Sequence, residues 1–162
     1  MQNKKLKLGW FSFSCCEDST ILFVELMNDH IFEWKKLIDF RHARVLKAKN
    51  SLDSLDVAFV EGAIASEKDA AELKEIRSRS RRLVAVGACA CEGMPSAQRN
   101  DFDEQKKEEI SFLIERFRLA DKVVPIKEIV QVDDFVPGCP MVESAFLKVL
   151  DKYLNEFGVK NA

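Results

Sequence analysis

No continuous apolar run in the 162-residue sequence reaches the roughly 18 residues that a membrane-spanning helix needs. Charge of one sign is also missing. Lys and Arg total 25 against 27 Asp and Glu, a formal charge of -2, which removes the electrostatic case for a nucleic-acid partner. The N-terminus does not read as a secretory leader: after Lys4, Lys5 and Lys7 the apolar run is brief and ends in SCCEDS, not at a small-residue cleavage site. A cytoplasmic location without membrane insertion is therefore expected. No G-x-G-x-x-G offers a dinucleotide cradle, and no G-x-x-x-x-G-K-S/T offers a nucleotide phosphate site. No repeat, low-complexity tract or long linker divides the chain, so one domain is expected over residues 1–162.

What is present is a regular alternation. KLKLGWFSF reads as a first strand, followed by a helix through ILFVELMNDHIFEWKKLIDF that Asp18 or Ser19 can cap. RHARVLKA suggests a short strand, and LDVAFVEG a buried one of the kind found in parallel sheets. SEKDAAELKEIRSRSR is an amphipathic helix with acids early and bases late, in the order its dipole favours. RLVAVGACA is a further buried strand, ending on Gly87 and the Cys89/Cys91 pair. GMPSAQRNDFDEQ reads as a loop and KKEEISFLIERFRLA as a helix. KVVPIKEIVQVDDFV gives short extended pieces, and MVESAFLKVLDKYLNEFG closes the chain as a helix. Such alternation predicts an α/β fold, a flavodoxin-like open parallel sheet with helices on both faces.

The five cysteines are the chemical signal. A reducing compartment and an odd number favour metal or redox chemistry over disulfides. Cys15 and Cys16 follow the first strand, Cys89 and Cys91 the strongest central strand, and Cys139 the last extended piece. In an open α/β sheet, ligands gather beyond the carboxyl ends of the strands, so three distant segments converge there. A structural zinc accepts four thiolates but favours short C-x₂₋₄-C knuckles. Thiolates gathered by the whole fold suit an iron–sulfur cubane and add a redox function. Gly87, Gly93 and Gly138 would let backbone pass close to a bulky inorganic core, while Pro137 and Pro140 stiffen the loop that presents Cys139.

The stretches SCCEDS, DVAFVEGAIASEKD, VAVGACACEGMPSAQRN and VPGCPM resemble the small subunit of nickel–iron hydrogenases and its relative, the cluster-bearing 20 kDa subunit of respiratory complex I. The resemblance covers nearly the whole chain. It implies one 4Fe–4S cluster, held by Cys15, Cys16, Cys89 and Cys139. The VEGAIASEKD stretch and the GACA loop ending in RN look most like soluble hydrogenases coupled to nucleotide cofactors. The implied partners are a nickel–iron large subunit and flavin- and iron–sulfur-containing diaphorase-type subunits, with NAD(P) or ferredoxin beyond them. The chain carries no paired C-x-x-C motifs for nickel, so its implied part is to pass electrons. It also lacks further cysteines for a longer cluster chain.

Hydrogenase small subunits usually carry C-x-G-C after the first strand; here Phe13 stands at the first ligand position and Cys15 at the glycine. A tandem pair is the complex I pattern. Either Cys15 is the fourth ligand, or Cys91 joins Cys16, Cys89 and Cys139. The other readings are accordingly a quinone-coupled subunit like that of complex I and a stand-alone carrier. The resemblance also marks Asp18, and more weakly Glu17, as a proton relay near a subunit boundary, with a helix cap as the plain alternative for Asp18. Glu61 closes a buried strand, so it is expected to accept hydrogen bonds from loop amides or to meet a partner. Arg99 is expected to pair with an acid across an interface or within its loop. His30 and His42, with no ligand neighbours at suitable spacing, are read as surface or packing residues. An aromatic surface around Trp10, Phe11, Phe13 and Met94 is expected to form an interface.

Overall fold

Strand β1 (Leu6–Ser12) leads to helix α1 (Asp18–Leu37), and the alternation continues through the computed structural model, which describes residues 4–160. The remaining strands are β2 (Ile38–Ala43), β3 (Leu55–Glu61), β4 (Ile64–Ser66), β5 (Ser80–Val86), β6 (Leu119–Val124) and β7 (Asp134–Val136). The helices are α2 (Glu67–Arg79), α3 (Gly87–Glu92), α4 (Glu104–Arg116) and α5 (Glu143–Glu156). Five strands form one parallel sheet in the order β2-β1-β3-β5-β7. This is the flavodoxin-like order expected from the sequence, and its switch point lies between β1 and β3. Strands β4 and β6 form a separate antiparallel pair.

The two-residue period of the central strands sends alternate side chains to opposite layers. Val57 and Phe59 of β3, with Val84 and Val86 of β5, join Phe23, Leu26 and Trp34 of α1 and Phe146, Leu150 and Tyr153 of α5. Ala58, Val60, Leu83 and Ala85 face the other way, against Leu73 and Ile76 of α2 and Ala90 of α3. Helices thus cover both faces. The first layer is aromatic: Trp10 stacks on Phe23 at 4.3 Å between ring centroids, and Phe146 meets Phe59 edge-on at 5.4 Å.

That packing corrects the expected aromatic interface. Trp10 and Phe11 are only 3% and 5% exposed and belong to the core. Phe13 is half-buried, and Met94 alone of the four is exposed. His42 stacks on Phe11 and His30 on Trp34, both as packing residues.

Two boundaries also move. The first helix ends at Leu37, and Ile38–Phe40 belong to β2, because Leu6, Lys7 and Leu8 pair with Ile38, Asp39 and Phe40. Sheet pairing overrides the helical periodicity there. The central strand ends at Val86, so Cys89 and Cys91 lie on α3 rather than on a strand.

Gly62, between β3 and β4, has φ +92°, and a Cβ there would stand 2.7 Å from the Phe13 carbonyl carbon and 2.9 Å from the Ser14 nitrogen. That close approach permits the antiparallel bridge between Ser14 and Ala63. Gly62→Ala should cost roughly 1–3 kcal/mol from φ alone, and more from the clash. Thermal unfolding would reveal it; an unchanged Tm would mean that the bridge yields freely.

Candidate metal centre

Four short hydrogen-bonded links gather the cysteine segments. Phe13 N–H donates to Glu61 O at 2.8 Å, and Ser14 and Ala63 exchange backbone bonds at 3.1 and 2.9 Å, fixing the chain just before Cys15. Ala88 N–H donates to Gly138 O at 2.7 Å, joining α3 to the P-G-C-P loop. Met141 N–H donates to Ser19 Oγ at 3.1 Å, joining the same loop to α1. The result is a cleft lined by Cys15, Cys16, Cys89 and Cys139, together with Asp18, Ser19, Glu61, Gly87 and Gly138. It sits beyond the carboxyl ends of β1, β5 and β7, as the strand order requires. Its free cavity is about 10 Å³, with Cys89 buried, Cys15 partly buried, and Cys16 and Cys139 exposed at the rim.

Cys91 is turned elsewhere. Two residues along an α-helix rotate a side chain by about 200°, so Cys91 enters the core with Ala58, Ala85 and Ile126 while Cys89 faces the cleft. Its Sγ donates to Ala85 O at 3.6 Å and Val136 O at 3.7 Å, and burial pushes its thiol up to about 11. All five cysteines are free thiols.

Burial pushes the Cys15 thiol up to about 12, with the Glu61 carboxylate and the Cys89 and Cys16 sulfurs adding to the rise. Cys139 is raised as well, first by local desolvation although it lies at the rim, then by Cys16 and Cys89. The Cys15 and Cys139 thiolates are thus unfavourable in the cleft, and a cationic centre would offset that cost. Among the described residues, no three His, Cys, Asp or Glu side chains are drawn together as a single metal ion requires. A polynuclear core tolerates wider spacing.

Glu61 is the polar pivot beside the cleft. Its carboxylate is 3% exposed, accepts from Ser19 N–H at 3.0 Å and from Thr20 Oγ1–H at 2.5 Å, and has Ser12 Oγ at 3.5 Å. Trp10 Nε1–H in turn donates to Thr20 Oγ1 at 2.8 Å. The amide that Glu61 accepts, Ser19 N–H, belongs to the first turn of α1 and not to a loop as expected. The expected cap does not form: neither Asp18 nor Ser19 caps α1, which follows Glu17 in a left-handed conformation with no side-chain cap of its own. A carboxylate from β3 satisfies that helix end instead. Asp18 is left exposed at the cleft, whereas Glu17 lies beside a neighbouring cavity lined by Ser12, Thr20 and His42.

Gly87 and Gly138 reach the cleft; Gly93 does not. Gly93 ends α3 at φ +89° and packs near Pro125 and Ala97. Among the described residues Arg99 forms no salt bridge, although the Asp121 carboxylate acts on it electrostatically. Its guanidinium donates to the carbonyls of Ala120 and Asp121 on β6, and Asn100 beside it accepts from Val123 N–H at 2.8 Å and donates to Val123 O at 2.7 Å. The loop after Cys91 thus contains a 3-10 turn, Ser96–Asp101, anchored on β6. Sequence reading also passed over Ser96, whose hydroxyl lies against Cys89 Sγ; a serine in a polar loop gives no signal of that contact.

The model of the family described as NADH ubiquinone oxidoreductase, 20 Kd subunit, matches residues 15–153. The chain belongs to this family. Within it, the chain is 28% identical over 167 aligned positions to the delta subunit of the NAD-reducing hydrogenase HoxS of Cupriavidus necator, covering 93% of this chain and 79% of the relative. It is 26% identical to the delta subunit of sulfhydrogenase 2 of Pyrococcus furiosus, covering 90% of this chain and 60% of that one. A chain in the crystal structure of an NAD+-reducing nickel–iron hydrogenase in the H2-reduced state superposes with a TM-score of 0.82 at 25% identity, over 94% of this chain and 93% of that one. This family member is thus homologous to subunits of hydrogenases, which are oxidoreductases. No helix among its described residues is long and apolar enough to cross a membrane.

Proposed function

We propose that the chain is the electron-transfer small subunit of a cytoplasmic nickel–iron hydrogenase. It would hold one 4Fe–4S cluster on Cys15, Cys16, Cys89 and Cys139. It would stand between a nickel–iron large subunit and a flavin- and iron–sulfur-containing module that reduces NAD(P) or ferredoxin. The observation that carries this reading is the meeting of four thiols from three distant segments in one cleft. The similarity to subunits of NAD-reducing hydrogenase supports the choice of complex.

The donor set fits such a cluster. Four soft sulfurs from three segments match a cationic iron core, and Gly87 and Gly138 leave no side chain where one would crowd the cleft. When bound, the cluster supplies a one-electron acceptor and donor. The protein's part is positioning: Ser19 and Ala88 hold the Cys139 loop, the Ser14–Ala63 bridge holds the tandem pair, and buried Glu61 anchors the start of α1 beneath it. Asp18, exposed at the cleft, is the side chain suited to exchange a proton with a docked partner; Glu17 is the lesser candidate. The chain itself offers no hydrogen-activating site in this reading and works as a non-catalytic subunit.

A second reading, a quinone-coupled subunit, is favoured by the tandem cysteines and by the family's description. Anaerobic affinity purification from the native host distinguishes them. The expected product is brown, carries about four irons and four sulfides per chain, co-purifies with a nickel-containing partner and reduces dye with hydrogen. Membrane subunits without nickel would favour the quinone-coupled reading. A lone brown protein would mean a stand-alone carrier, and stoichiometric zinc without sulfide would end the cluster assignment.

A further inference from the structure

We propose that Ser96 is a positioning residue of the cysteine site, tying the tandem-cysteine segment to the Cys89 loop and donating its hydrogen to Cys89 Sγ once that sulfur is a ligand. The inference rests on the cluster reading above. Ser96 Oγ lies 2.7 Å from Ser14 O and 3.2 Å from Cys89 Sγ. A carbonyl oxygen only accepts, so the single Ser96 hydrogen points to Ser14 while Cys89 is a thiol, and the S–H can donate to Ser96 Oγ. One short chain of donors then links the residue before Cys15 to Cys89.

Ligation would replace the S–H bond by a sulfur–iron bond and release the proton to water. Two acceptors, Ser14 O and Cys89 Sγ, then compete for the hydroxyl. Ser14 O also accepts from Ala63 N–H at 2.9 Å, so it keeps a partner if Ser96 turns away. The sulfur carries the negative charge, and a hydrogen bond to a charged acceptor is roughly twice as strong as a neutral one. The hydroxyl therefore rotates to sulfur with no heavy-atom movement. Its position is set in advance: Ala97 N–H donates to Gly93 O at 2.8 Å, and Arg99 and Asn100 bind the turn to β6. A hydrogen bond to a ligand sulfur favours the reduced, more negative cluster and raises its potential.

Ser96→Ala and Ser96→Thr test this in the holoprotein, with EPR-monitored redox titration and iron release to a chelator as readouts. Ser96→Ala should shift the midpoint potential downward and speed iron release by about 10-fold. Ser96→Thr keeps the hydroxyl and should match the wild type in both. In the metal-free protein, Ser96→Ala should also speed amide exchange at Phe13–Cys16 and leave β3 and β5 protected. A fully loaded Ser96→Ala protein with unchanged potential and iron release would overturn the inference. So would equal shifts in the Ala and Thr variants, which would indicate shape rather than the hydroxyl. A wild-type protein that holds no iron would instead overturn the cluster reading, and this inference with it.

Discussion

Cys15→Ser is expected to reduce bound iron from about four atoms per chain to a small remainder or to a three-iron form, whereas Cys91→Ser should leave iron content and EPR signal nearly unchanged. Serine preserves size and polarity but is a much poorer ligand for iron. The contrast follows from about half a turn of helix. Cys15 and Cys89 share a cleft, and Cys91 lies on the far side of α3 among Ala58, Ala85 and Ile126. A serine at position 91 can still donate its single hydrogen to the Ala85 or Val136 carbonyl that Cys91 now meets, so the cost in stability should stay at about 1 kcal/mol. Iron analysis and EPR of the two variants decide the matter. Loss of the cluster from Cys91→Ser, with Cys15→Ser silent, would reverse the ligand assignment.

Glu61→Ala should be the most destabilising single change near the site, because it strands two donors and opens a cavity. Ser19 N–H and Thr20 Oγ1–H both point to its carboxylate, and Ser19 also holds the Met141 amide of the Cys139 loop. Leaving such groups unpaired should cost roughly 3 kcal/mol, a fall in Tm of roughly 6–12 °C. The pH dependence has a definite sign. Burial raises the Glu61 carboxyl above its ordinary value of 4.5, and the hydrogen bonds from Thr20 and Ser19 oppose that rise. The stability this group contributes is thus fully present below pH 4.5 and lost as pH rises through the raised value. Glu61→Gln has no such titration, so its stability relative to wild type should improve across that window in the metal-free protein. Urea midpoints at a series of pH values would show it, and parallel curves would refute it.

Much of this was legible in the sequence because it follows from local period and from topology. Continuous apolar runs in LDVAFVEG and RLVAVGACA mark strands with two buried faces, and alternation with helices sets a parallel sheet whose carboxyl ends collect Cys15, Cys16, Cys89 and Cys139. What was not legible depends on exact rotation or on distant partners. An extended GACA segment would place Cys89 and Cys91 on one face; two residues of helix place them on opposite ones. Trp10 and Phe11 read as interface because nothing local says that Phe23, Phe146 and His42 cover them. The cap on α1 comes from a residue more than forty positions away, and no capping pattern near Asp18 could announce it.

Asn100 has a further consequence, concerning solubility rather than electron transfer. Strand β6 has only β4 as a neighbour, and an open strand edge is a template on which another chain can add. The carboxamide of Asn100 meets both the N–H and the C=O of Val123, as the peptide of an incoming strand would, while Arg99 occupies the next free carbonyls. A single side chain thus imitates a strand one residue long and ends the sheet there. Without that imitation β6 would expose a recruiting edge, and edge-to-edge polymerisation would compete with proper folding and assembly.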